Sequence, residues 1–135
     1  MKGRSIGAVL AGIVVIFVVS YLFNKVIDQL YPPDFDTMRE IAGDRQKMIE
    51  YFKNLPAGFH FMGILGGVIR LIVALFVGSA IDKQNLMTSI VISAFALLLA
   101  ILDSFAFPHP IWYGLAYVPA IVLVSMGYIY LKRRA

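Results

Sequence analysis

The stretch FHFMGILGGVIRLIVALFVGSAI, residues 59–81, decides the fold. It carries a single charge, Arg70, in a run long enough to cross a bilayer, which takes about 20 residues at 1.5 Å each. Three further runs have the same character: residues 6–23, 86–107 and 111–131. Together they predict an all-α polytopic membrane protein, a four-transmembrane-helix bundle forming one domain over residues 1–135. Composition agrees. The chain is 60% hydrophobic and 15% charged, against about 45–50% and roughly 25% in soluble domains, and the excess falls into runs.

The first run follows a basic start, as a signal peptide would. It is longer than an h-region and lacks a small-x-small cleavage site, so it reads as a retained helix. Val26, Ile27 and Leu30 extend its apolar face, giving a span over residues 6–30. Pro32-Pro33 then stops it, since proline lacks the donor and restricts the residue before it.

Lys and Arg set the expected orientation. With both termini in the cytoplasm, Lys2, Arg4, Lys83, Lys132, Arg133 and Arg134 crowd short inner segments beside helix ends. Lys25, Arg39, Arg45, Lys47 and Lys53 fall in one longer outer loop. Tyr21, Phe59, Phe61, Trp112, Tyr113 and Tyr117 are expected in an aromatic belt at the outer edge, and Tyr128 and Tyr130 at the inner one. A basic terminal run beside a span orients it in membrane lipid, so no nucleic-acid partner is expected.

Residues 34–55 form the outer loop's amphipathic segment. Met38, Ile41, Ala42, Met48, Ile49 and Phe52 recur at helical spacing. Asp36 is the expected N-cap, Gly43 divides the segment into two helices, and Pro56 and Gly58 end it. The loop has six acids and five bases, so its overall charge suggests no strong attraction to anionic lipid.

Two ionisable residues lie deep in the spans, Arg70 and Asp103. Each is costly in hydrocarbon and should face protein or water. Arg70 shares a helical stripe with Gly63, Gly67, Ala74 and Gly78. Asp103 shares one with Ser89, Ser93, Ala96 and Ala100. Small residues let helices approach closely, and the two stripes are expected to face each other in antiparallel neighbours. Side chains lean toward their helix N-termini, so the two charges lean together. An intramembrane ion pair, direct or through one polar group, is the expectation.

The absence of cysteine removes disulfides, thiolate metal sites, iron–sulfur clusters and cysteine nucleophiles. Only two histidines remain as ligand candidates, His60 and His109, both on the outer side. They form a possible outer polar site that could take haem, a metal or a quinone, with Asp28, Asp34 or Asp36 supplying carboxylates. No fixed local spacing marks a metal site, and no cofactor is the primary expectation. Pro108 and Pro110 bracket His109 as punctuation between two spans, with the ring bonding exposed backbone at the corner. Pro119 should kink the last span.

Tyr31-Pro32-Pro33 and Pro108-His109-Pro110-Ile111-Trp112-Tyr113 together resemble a group of small bacterial four-helix inner-membrane proteins. In that group the first span ends in an aromatic residue followed by prolines, and a later one ends in Pro-His-Pro. The resemblance implies the four-helix fold and a bacterial inner-membrane setting. Members often carry Asn where this chain has Asp103, and the resemblance implies no substrate or catalytic residue. With no catalytic constellation in the chain, the expected function is a non-enzymatic accessory or interaction subunit, partnered by other membrane subunits or copies of itself. A small oligomeric channel or transporter using Arg70 and Asp103 is the alternative, and a cofactor-binding subunit using His60 and His109 the second.

Overall fold

The computed structural model describes residues 3–83, 85–106 and 109–134. All its regular structure is helical: α1 (Gly3–Leu30), α2 (Phe35–Ile41), α3 (Arg45–Lys53), α4 (Ala57–Ile81), α5 (Leu86–Ala106) and α6 (Ile111–Arg134). Four of these, α1, α4, α5 and α6, are long and apolar enough to cross a membrane. The chain is thus compatible with a small integral membrane protein. Lys2, Phe107 and Pro108 lie outside the described residues, so the expected end of the third span at residue 107 does too.

Hydrogen bonds between helix ends define the two sides of the bundle. Arg4 Nε donates to the Ile81 carbonyl at 2.7 Å, and Asn85 Nδ2 donates to Ser5 Oγ at 2.8 Å. The start of α1, the end of α4 and the start of α5 therefore share one side. Lys132 Nζ donates to Ser79 and Ser89, each at 3.2 Å, which adds the end of α6. We term this the terminal side. The opposite, cap side carries α2 and α3.

Helix α1 packs most extensively on α4, and α5 on α6; the α4–α5 contact expected from their short connection is the lesser one. On the α4 stripe Gly67, Ala74 and Gly78 are buried and Gly63 and Arg70 half-buried, but not mainly against α5. A side chain at Gly63 or Gly67 would meet the hydroxyls of Tyr113 and Tyr117 on α6. Gly66 lies under Phe23 of α1, and Ile92 of α5 fills the spaces at Gly78 and Gly12. On α5, Ser89, Ser93, Ala96 and Ala100 are all buried. The expected face-to-face meeting of two small stripes is corrected accordingly: glycines of α4 admit large side chains from α1, α5 and α6.

The aromatic belt also needs correction. Tyr113 and Tyr117 are 2% and 1% exposed, in the core rather than at the membrane edge. They share an α6 face with buried Ile121 and Ser125, at the four-residue spacing that aligns side chains on a helix. Tyr128 is half-buried and donates to the Leu75 carbonyl at 3.2 Å, while also bonding Ser79 Oγ at 2.5 Å. Tyr21, Phe61, Trp112 and Tyr130 are exposed. Helix α6 continues through Pro119.

The cap starts with Asp34, whose carboxylate accepts from the Thr37 amide at 3.1 Å and the Thr37 hydroxyl at 2.6 Å. Asp34, not Asp36, is the N-cap: a cap must precede the first helical residue, and Asp36 already lies in the first turn. These two bonds hold the Asp34 carboxyl below its ordinary pKa. Gly43, at φ 89°, turns the chain between α2 and α3 in a conformation that suits glycine. Asp44 caps α3 by accepting from the Lys47 amide at 3.2 Å. Both ends of the cap meet where Tyr31 lies directly over Gly58 and edge-on to Phe59, ring centroids 6.0 Å apart.

Candidate functional site

The sequence candidates converge on the cap-side half of the bundle. His60, in the first turns of α4, is 1% exposed. His109 precedes α6. Their Nδ1 atoms lie 2.9 Å apart, so one ring donates to the other. The His109 ring therefore bonds a second histidine. It also stacks on Tyr113, centroids 3.8 Å apart and nearly parallel.

From His109 the polar chain continues inward. His109 Nε2 lies 3.7 Å from Asp103 Oδ1, and Tyr113 Oη donates to Asp103 Oδ2 at 2.5 Å. Asp103 is thus the carboxylate beside His109. Asp34 is occupied in its cap, and Asp28 and Asp36 are exposed.

Arg70 closes the chain from the other end. Its guanidinium donates to Ser20 Oγ at 2.9 Å and to Tyr117 Oη at 2.8 Å. No direct Arg70–Asp103 ion pair forms. Tyr113 and Tyr117 link the two charges instead, ring centroids 5.5 Å apart and edge to face. Each charge bonds one tyrosine hydroxyl, and Arg70 bonds Ser20 as well. Burying an ionised pair together is expensive unless its remaining atoms are bonded, and separate neutral partners are an alternative solution. The glycines at 63 and 67 make that solution possible, because a Cβ at either would crowd a tyrosine oxygen.

Buried polar atoms without hydrogen-bond partners include His60 Nε2, Arg70 Nε, Ser93 Oγ and Ser125 Oγ. Such atoms are uncommon and mark a site as incompletely satisfied. Among the described residues no group of three or more ligand side chains could hold a metal. At 2.9 Å the two nitrogens are too close to ligate opposite faces of a haem iron, which needs about 2 Å on each side. The arrangement suits hydrogen bonding to a ligand better than ligation between the rings.

A second polar cluster occupies the terminal side. Ser5 Oγ donates to Asp82 Oδ2 at 2.5 Å and Thr88 Oγ1 to the same oxygen at 3.4 Å. Lys132, Ser79, Ser89 and Tyr128 form its other half. None of Asp82, Lys132 or Tyr128 stood out as a site residue in the sequence. Their signal was only the placement of polar residues on the inward-facing stripes of helix ends.

Between the two clusters the core is closed and mainly apolar. Ile16, Leu71, Ala74, Leu75, Ile92 and Ile121 are each 0–1% exposed. On α4 this layer separates Arg70 from Ser79 by about two and a half turns, roughly 13 Å.

On the cap side, a partly open cavity of about 710 Å³ lies between α3 and the end of α5 and reaches His109. No protein-family model, curated protein or solved structure matches the chain. The functional reading therefore stands on this geometry: a buried cap-side polar chain, a closed middle and a separate terminal-side network.

Proposed function

We propose that the protein is a non-enzymatic accessory or interaction subunit of a larger assembly in a bacterial inner membrane, with both termini cytoplasmic. The observation that carries this reading is the closed layer of Ile16, Leu71, Ala74, Leu75, Ile92 and Ile121 between two polar clusters. A conduit needs polar groups or water continuous across the bilayer. Here the deep charges are each bonded to neighbouring side chains and the middle is packed. Such a bundle is better suited to holding position than to passing a solute.

The exterior supports the same reading. The glycines of α4 and Gly12 are filled from within the bundle, whereas Gly7 of α1 and Gly127 of α6 face open space. Small residues on an outward face allow another helix to approach closely. In proteoliposomes the protein should give no proton or ion flux above that of protein-free vesicles. Flux abolished by Arg70→Gln would establish the channel reading instead. Extraction in mild detergent should yield a particle containing other polypeptides or further copies, and a lone monomer would count against the subunit reading. Because the chain lacks cysteine, Gly7→Cys offers a single crosslinking position to locate the neighbour.

The meeting of His60 and His109 beside a cavity favours one further reading, a subunit that binds a hydrogen-bonding cofactor such as a quinone. A purified protein with no quinone in its organic extract would remove it.

A further inference from the structure

The α3 helix is amphipathic, yet none of its residues is buried. Among the described helices its backbone lies close only to that of α2, and its one backbone link to the bundle is Phe52 at the His60 ring. Met48, Ile49 and Phe52 lie on one face at helical spacing, and that face looks onto the cavity of about 710 Å³. The opposite wall includes Phe105 and Ala106 of α5. Two apolar walls thus stand apart across a volume typical of a small-molecule site, about 300–1,000 Å³. In water alone this arrangement is unfavourable, because apolar surfaces free to approach would close the gap.

The charges around this gap are not those of the loop as a whole. The loop balances its acids and bases, but the cavity wall does not. Arg45 and Lys53 flank the apolar face, one at each end of α3, and no carboxylate lines the cavity among the described residues. Asp44 and Lys47 are instead linked to each other, 4.0 Å apart, outside the lining. The fold has sorted the cap's charges so that a positive rim surrounds an apolar interior.

We propose that this cavity binds an anionic phospholipid. Its phosphate is met by Arg45 or Lys53, and the upper part of its acyl chains lies against Met48, Ile49, Phe52 and Phe105. Phosphate suits a guanidinium or ammonium partner. A two-chain lipid fits only in part, with the rest of its chains continuing into the bilayer past the exposed end of α5. Lipid is the fitting occupant because the cavity adjoins one end of a membrane-spanning helix, where acyl chains and phosphates are both at hand. This site is separate from the subunit reading and stands or falls without it.

The test uses the full chain in an uncharged detergent, offered equal amounts of phosphatidylglycerol and phosphatidylcholine with the same acyl chains. Native mass spectrometry reads the lipid retained. Phosphatidylglycerol adducts should exceed phosphatidylcholine adducts by about tenfold, the effect of about one hydrogen bond to a charged group. The double variant Arg45→Gln/Lys53→Gln should remove the preference, and Lys47→Gln should keep it. Met48→Trp, which fills the cavity from a helix with no buried residue, should lower retention of both lipids. Equal retention of the two lipids by the wild type, or a preference that survives Arg45→Gln/Lys53→Gln, would overturn the proposal. So would complete displacement of phosphatidylglycerol by oleate, which would assign the cavity to free carboxylates.

Discussion

His60 and His109 are joined ring to ring, Nδ1 to Nδ1 at 2.9 Å, across 49 positions of sequence. The bond ties the start of α4 to the connection between α5 and α6. It is the outermost link of a chain that runs through Asp103 to Tyr113.

This link should be visible as an interaction energy. His60→Ala and His109→Ala should each lower the thermal stability of the detergent-solubilised protein. The double variant should lose less than the sum of the two, with a coupling of about 1 kcal/mol, as expected for a part-buried hydrogen bond between side chains in contact. Strict additivity would mean that the rings do not cooperate.

The charges inside the bundle should respond unequally. Asp103→Asn keeps an acceptor for Tyr113, so its cost should be about 1 kcal/mol or less. Arg70→Met leaves the hydroxyls of Ser20 and Tyr117 without their partner and should cost about 1–3 kcal/mol. A direct ion pair would instead make the two substitutions similar and strongly coupled. Chemical or thermal unfolding of both single variants and the double variant distinguishes the cases.

Gly67 and Tyr117 make a size test. A Cβ at position 67 collides with the end of the Tyr117 ring, so Gly67→Ala should destabilise by about 1–3 kcal/mol. In a Tyr117→Ala background the same substitution should be nearly neutral or slightly favourable, because alanine is the better helix former. Equal effects in both backgrounds would show that the tyrosine is not what occupies that space.

The Asp34 cap predicts a pH response confined to α2. Its carboxyl pKa is lowered in the folded state by the Thr37 hydroxyl and amide. The stabilisation is therefore present above the unfolded aspartate value of about 3.9 and is lost as pH falls through the folded value. The protection factors of the α2 amides, taken relative to intrinsic exchange at each pH, should fall below about pH 4 while those of α4 are kept. Asp34→Ala should show fast exchange at all pH values, and an unchanged α2 would remove the cap from the account.

The spans were legible because a long apolar run has few alternatives in a chain of this length. Residues 59–81 became a helix beginning only two residues earlier, at Ala57. The two-helix cap was also legible from periodicity and from Gly43. The site was legible by type but not by partner. Arg70 and Asp103 had to be buried among polar groups, and the sequence spacing placed them on inward faces. Which group would satisfy each charge depended on Tyr113 and Tyr117, and a tyrosine near a span end fits an interface and a core equally well. A usable signal was present: Tyr113, Tyr117, Ile121 and Ser125 share one face of α6, so an interfacial role for the first two would have cut that face in half. Likewise, glycine at 63 and 67 announced a close approach without saying whether backbone or a phenol would make it. His60 and His109 gave no spacing cue, because their meeting depends on how four helices are arranged.

The contact of Tyr31 with Gly58 gives the cap a property of its own. Chain enters and leaves the cap at one stitched point, so the length of what lies between is nearly uncoupled from the spans. Doubling such an excursion costs only about 0.6 kcal/mol in closure entropy. The cap is in that sense an exchangeable module, a place where the protein could be given a new exterior without rebuilding its membrane half.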